Sequence, residues 1–308
     1  MKLRTFHILF TLLLSVTSLH AEETGEDVAR RIYQANINAL MVFTSQDGLN
    51  TGHYRFSNIG IKMDIYHLPF LYQLDIGNDT FNMFIVGNVG YSRAYVNEEL
   101  TLPHDVQLTY GNQLSTYTGG AGVGVRYKAP FGIDMLSGLE LIYSRSGINA
   151  HDPDDIIGKG IEDFFSEKFN DNLTYKFFLQ LEHHREINGY KLYAKLNHKL
   201  YETKADFNFA SLTSFTTQAS VSSLGAGIET PGLYSWHEMY LTFEGYIYGH
   251  YLHGDIIDVV GFDTYGTVGI VAYWYTEQKP NWAERFFLEL SSVNSSGLEG
   301  YNVGIGFT

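Results

Sequence analysis

Polar and apolar side chains alternate with a period of two over most of the chain. In residues 189–202, Tyr190, Leu192, Ala194, Leu196 and Leu200 share one face of an extended strand, and Lys191, Lys195, Asn197 and Lys199 share the other. Residues 238–251 repeat the pattern, with Met239, Leu241, Phe243, Ile247 and Tyr251 opposed by Glu238, Tyr240, Thr242, Glu244 and His250. In residues 173–182, Leu173, Tyr175, Phe177, Leu179 and Leu181 face away from Thr174, Lys176, Gln180 and Glu182. Such runs last about ten to fifteen residues, against five or six in a soluble sheet. A tilted strand crossing a bilayer needs about nine to eleven residues, apolar outward and polar inward.

Turn signals divide the chain into twelve predicted strands, near 56–66, 70–76, 81–95, 113–128, 132–146, 171–186, 189–204, 215–229, 236–252, 262–276, 284–293 and 299–308. Short links form at Asn78-Asp79, Ala129-Pro130-Phe131, Asn188-Gly189, Pro231-Gly232 and Lys279-Pro280-Asn281. Longer links fall at 96–112, 147–170, 205–214, 253–261 and 294–298, so long and short connections alternate. Outer-membrane barrels alternate in this way, with short periplasmic turns and longer outer loops. The expected fold is an all-β transmembrane barrel of about twelve antiparallel strands spanning residues 46–308. Residues 119–125 place Gly120, Gly122 and Gly124 on one face, either to let something approach the wall or to let the strand coil.

Residues 26–43 break the alternation. Val28, Ile32, Ala35, Ala39 and Val42 recur at helical spacing, with acids leading and Arg30 and Arg31 following. A helix of about eighteen residues is some 27 Å long, enough to thread a barrel. The segment 22–45 therefore reads as a lumen plug, or else as a periplasmic helix beneath the pore. In the lumen, Arg30 and Arg31 would meet inward acids drawn from Asp64, Glu140, Glu182, Glu238, Glu244 and Glu289.

Residues 1–21 carry Lys2 and Arg4, then an apolar run and a small-residue site before Glu22, the pattern of a secretory signal peptide. Removing that segment takes the net charge from −14 to −16, which argues against nucleic-acid binding. The 23 tyrosines and 21 phenylalanines suit the aromatic girdles of a membrane barrel. The absence of cysteine removes disulfide scaffolds, thiol nucleophiles and cysteine-ligated metals. No cofactor is expected.

A signal peptide, one helix, then about twelve alternating strands resembles the translocator domain of bacterial autotransporters, in its form without a passenger. The resemblance implies a helix seated in a twelve-stranded barrel. Autotransporters that cut themselves do so at an Asn–Asn junction in the pore helix; Asn36-Ile37-Asn38 stands here instead, so self-cleavage is not implied. Tyr301, Val303, Ile305 and Phe307 share one face and look like the terminal signal read by the outer-membrane assembly machinery, although Thr308 follows the aromatic. The partners so implied are outer-membrane lipid, that machinery and periplasmic chaperones, for a monomeric protein of the cell outer membrane.

Other chemistry is less specific. Lys176, Lys191, Lys195 and Lys199 form an inward basic ladder, either the field of a small-solute pore or partners of internal acids. His151, Asp152, Asp154, His253 and Asp255 stand in predicted outer loops, where they could hold a divalent cation or serve an omptin-like hydrolase. A phospholipase needs a Ser–His pair near the membrane boundary. Ser144 and Ser146 have no histidine two residues before them, and His183 and His184 lack an adjacent serine. His198 and His237 are expected in the lumen or a girdle. No catalytic site is expected, and the leading reading is a non-enzymatic barrel.

Overall fold

The computed structural model describes residues 37–43, 49–102, 106–150, 170–205, 215–236, 239–276 and 285–307. The expected signal segment 1–21 and residues 26–36 of the expected helix, with Arg30 and Arg31, lie outside them, as do His151, Asp152, Asp154, His237 and Glu238. Twelve long strands close into one antiparallel barrel: β1 (Leu49–Phe56), β2 (Ile61–Gly77), β3 (Phe81–Leu102), β4 (Val106–Ala129), β5 (Ile133–Ala150), β6 (Asn170–Ile187), β7 (Tyr190–Ala205), β8 (Phe215–Glu229), β10 (Met239–Gly254), β11 (Thr264–Thr276), β12 (Arg285–Asn294) and β13 (Leu298–Phe307). The three-residue β9 (Tyr234–Trp236) pairs with the start of β10. Pairing of β1 with β13, from Leu49↔Ile305 to Phe56↔Leu298, closes the ring, so the sheet has no open end. The near end of the barrel is where β1 begins and β13 finishes; the far end is opposite.

The faces fall as the alternation predicts. Along β12, Phe286, Leu288 and Leu290 are exposed outward, whereas Phe287, Glu289, Ser291 and Val293 are buried inward. Outward tyrosines mark a level toward the far end: Tyr66 pairs with Tyr91, and Tyr91 with Tyr117, with ring centroids 6.1 and 4.8 Å apart. At the near end, Asn188 and Gly189 both take positive φ, 52° and 80°, the two-residue hairpin turn that matches strand twist.

Five details differ from the sequence reading. The predicted strand 56–66 is instead the β1–β2 hairpin, turning at 57–60, and the break expected near Pro69 lies inside β2. Pro69 falls past the last described β1–β2 pair, Asn50↔His67, where one side of β2 has no described ladder to supply. The link expected at 96–112 is a continuous hairpin, β3 running to Leu102 and β4 starting at Val106. The alternation is in fact present here, with Val96, Leu100, Leu102, Val106, Leu108 and Tyr110 on one parity, but Pro103-His104-Asp105 gives a loop signal in its middle. A helix, α2 (Asp255–Val260), occupies the expected loop 253–261, in addition to α1 (37–43). Finally, Asp64 lies on the outer wall beside His53, not in the lumen, because Met63 and Ile65 take the inward positions on either side.

Gly122 lets the neighbouring strand approach closely. A Cβ there would land on the Leu139 carbonyl oxygen of the neighbouring strand, and at Gly124 on the Phe84 ring. The glycine face therefore admits its own neighbours: backbone of β5 at Gly122, and side chains from β3 and β5 at Gly120 and Gly124.

Candidate functional site: a plug and a polar chamber

The helix α1 is inside the barrel. Ile37, Leu40 and Val42 have no exposed surface, and no residue of the segment exceeds 7%. An amphipathic helix has one wet face; this one has none, because strands surround it. Phe43 packs against Tyr54, Phe56 and Tyr265 at centroid separations of 5.1, 5.6 and 5.3 Å. The inward residues Phe56, Leu252 and Leu298 and the α2 residues Ile256 and Val260 complete one apolar cluster with α1. All of these lie toward the far end, so the plug and α2 fill that half of the lumen together.

One polar chain ties the two helices to the wall. Asn38 Nδ2 donates to Thr217 Oγ1 at 3.0 Å, and the Thr217 hydroxyl donates to Asp255 Oδ2 at 3.1 Å. Asp255 also accepts the Gln218 backbone N–H at 2.8 Å. Its carboxylate is thus engaged at the start of α2, while the neighbouring candidate His253 lies edge-on to the Tyr251 ring, 4.3 Å between centroids. Among the described residues no group of three or more His, Asp or Glu side chains is placed to hold a metal ion.

Toward the near end the lumen is a polar chamber of about 500 Å³, roofed by Val42 and Phe43. Lys191, Lys195 and Lys199 line it, as do Glu182, Glu244 and Glu289. The lumen carboxylates are held chiefly by wall groups. Glu244 accepts from Tyr193 (2.7 Å) and Tyr273 (2.9 Å), and Glu289 accepts from Tyr246. Glu229 accepts from Thr242 (2.7 Å) and Tyr275 (2.8 Å), with Lys191 at 3.4 Å and Arg285 at 3.7 Å. Glu182 lies 3.4 Å from His184. Behind the plug, Lys176 Nζ donates to Glu140 at 2.7 Å, and the Asn88 amide donates to the same carboxylate. The basic ladder is therefore interleaved with acids: Lys176 and Lys191 both have carboxylate partners.

Several of these groups escaped the sequence reading. Glu229, Arg285 and the tyrosines 193, 246, 273 and 275 are inward strand positions, and period two alone could have placed them. Their pairing could not be seen, because Tyr193 and Glu244 are 51 residues apart and joined only by the ladder. Cross-strand contacts also pair histidines with serines on opposite faces of β8. His198 meets Ser222 at 3.0 Å on the outer wall, and His250 meets Ser223 at 2.7 Å inside, its other nitrogen 3.0 Å from Thr267. Tyr301, Val303, Ile305 and Phe307 all occupy outward positions at the end of β13.

No protein-family profile matches the chain, and no curated protein matches it by sequence. Solved structures do. The β domain of the Bordetella autotransporter BrkA superposes with a TM-score of 0.55 at 10% identity, covering 84% of this chain and 96% of that one. The translocator domain of NalP from Neisseria meningitidis gives 0.51 at 12%, covering 92% and 96%. The transport unit of AIDA-I from Escherichia coli gives 0.52 at 8%, covering 93% and 100%. With twelve long strands closed around an N-terminal helix, the chain has the fold of the autotransporter translocator barrel.

Proposed function

We propose that this chain is an integral outer-membrane barrel, exported by residues 1–21, whose helix α1 keeps it closed. Its role in this reading is that of a sealed, non-enzymatic translocator-type barrel acting as a monomer, with Tyr301, Val303, Ile305 and Phe307 as the face read during assembly. The observation that carries the reading is the pairing of an apolar outer wall with a lumen stoppered by the chain's own buried segment. Exposed Leu139, Val123, Leu224 and Ile247 would be costly in water and are at home against acyl chains. Buried Asn38, bonded to Thr217, indicates a seated plug, since an unpaired amide there would cost about 1–3 kcal/mol. The interleaved charges of the chamber favour a closed lumen over the uniform basic field of a solute pore.

Planar-bilayer recordings test this. The intact chain is expected to show low conductance with brief openings, and a chain lacking residues 22–45 a large, steady one. Steady large conductance in the intact chain would overturn the plug and favour the pore.

A further inference from the structure

We propose that α1 is dry on one side and wet on the other: a file of ordered water separates it from the β2–β5 wall, and water and small ions pass along that seam when the plug yields. The inference rests on the seated plug proposed above and names the side on which it opens.

The two walls that face α1 differ in chemistry. From β8 round to β1 the helix meets Val221, Leu252, Val293, Leu298 and Phe56 in one apolar cluster, and Asn38 is tied to Thr217. Inward positions on β2–β5 are more polar. One ladder row runs through His67, Gly90, Thr118 and Ser144, and the next toward the far end through Ile65, Ser92, Thr116 and Ser146. The hydroxyls of Thr116 and Ser146 bond to each other at 2.8 Å. Four other polar atoms of these rows are buried without a partner among the described residues: His67 Nδ1, Ser92 Oγ, Thr118 Oγ1 and Ser144 Oγ. Among the described residues, β8 to β13 and β1 carry no such atom.

Ser92 and Ser144 have no exposed surface, and His67 only 7%. Buried polar groups are nearly always hydrogen-bonded, to ordered water where no protein group is in reach. The recess has room for it. His67 and Thr118 meet over Gly90, where a Cβ would lie 3.5 Å from His67 Cδ2 and 2.9 Å from Thr118 Cγ2. A cavity of about 10 Å³ adjoins them, bounded by Leu40 and Met41 of α1 and by Asn88 and Lys176 of the wall. That is space for one water with polar groups on several sides. The side chains of Leu40 and Met41 are apolar, so they cannot bond the orphaned atoms in its place.

Such water is trapped rather than bulk, because apolar groups close the seam at both ends. Met63, Ala94 and Leu114 share the next row toward the far end. Toward the chamber Phe84 lies against Phe178, ring centroids 6.2 Å apart. Hydrophobic constrictions of this kind stop ions by dewetting while the plug is seated. Parting α1 from β8 would break the Asn38–Thr217 bond and open the apolar cluster to water. Parting it from the β2–β5 wall only widens a space already hydrated.

Because the chain contains no cysteine, single thiols can report on each side. Ser92→Cys and Ser144→Cys place one in the seam; Val221→Cys and Leu252→Cys place one in the apolar cluster. Each folded barrel in vesicles is exposed to silver ion, a probe near the size of water, and the remaining thiol is counted after unfolding. Both seam thiols are expected to be consumed about tenfold faster than both cluster thiols. Equal rates on the two sides, or faster loss in the cluster, would overturn the proposal. A bulky methanethiosulfonate reagent should spare every one of these thiols; rapid reaction at all of them would mean an unseated plug and overturn the closed-barrel reading itself. Thr118→Val combined with Ser144→Ala removes two unpaired hydroxyls, and should make brief openings in planar bilayers several-fold rarer. An unchanged opening frequency in that double variant would show that ions do not take this route.

Discussion

Replacing Lys176 with methionine isolates a carboxylate behind the plug. The Glu140 side chain is 2% exposed and that of Lys176 19%, and their charged atoms are 2.7 Å apart. Without the ammonium, the Asn88 amide is the remaining described donor to Glu140, in a recess closed by Leu40 and Met41. Removing one partner of a buried ion pair costs about 3–5 kcal/mol, since the other charge is left desolvated. The reverse change, Glu140→Gln, should cost less, because the more exposed lysine can carry its ammonium toward water along its flexible stem. Glu140→Leu combined with Lys176→Met removes both charges and should recover most of the stability, as replacement of buried pairs by apolar residues is often neutral. The assay is equilibrium urea unfolding in vesicles, followed by tryptophan fluorescence, comparing midpoints at equal slope. A cost below about 1 kcal/mol for Lys176→Met would show that water reaches Glu140 and that α1 does not seal this side. A double variant as unstable as Lys176→Met would refute the ion-pair reasoning itself.

Two further outcomes follow from particular contacts. Gly122→Ala should destabilise the barrel by about 1–3 kcal/mol, typical of one methyl inserted into a filled space, and so lower the yield of heat-shifted folded protein. Gly245→Ala, where a Cβ meets nothing within 4 Å, serves as the control that should fold normally. Asn38→Ala cuts the hydrogen bond to Thr217, worth about 1 kcal/mol, so brief openings in planar bilayers should become several-fold more frequent. Unchanged opening frequency would mean that the apolar contacts of Leu40, Val42 and Phe43 alone hold the plug.

The strands that cross the apolar belt were legible because one side of each wall residue is apolar and the other polar. Other signals misled. The β3–β4 extension past the tyrosine level does alternate, Val96, Leu100, Leu102, Val106, Leu108 and Tyr110 sharing one parity, but Pro103-His104-Asp105 reads as a loop. At 56–66 the turn is Ser57-Asn58-Ile59-Gly60, whose isoleucine mimics a strand, while Pro69 mimics a break. The short helix α2 was read as loop since six residues carry too little periodicity to stand out. Asp64 was placed inside by its charge, although strand parity with buried Met63 and Ile65 puts it outside beside His53.

Local chemistry determined a great deal here: the all-β character, the inward and outward faces and the twelve-strand count. These depend on neighbours two residues apart, which the chain itself displays. Tertiary structure decided which charges meet. Glu244 is held by Tyr193 and Tyr273, Glu140 by Lys176 and Asn88, and Asn38 by Thr217, all through strand register. It also decided that α1 lies within the barrel. Both depend on closure of the ring by β1 and β13, a contact between residues some 250 positions apart that no local pattern can encode.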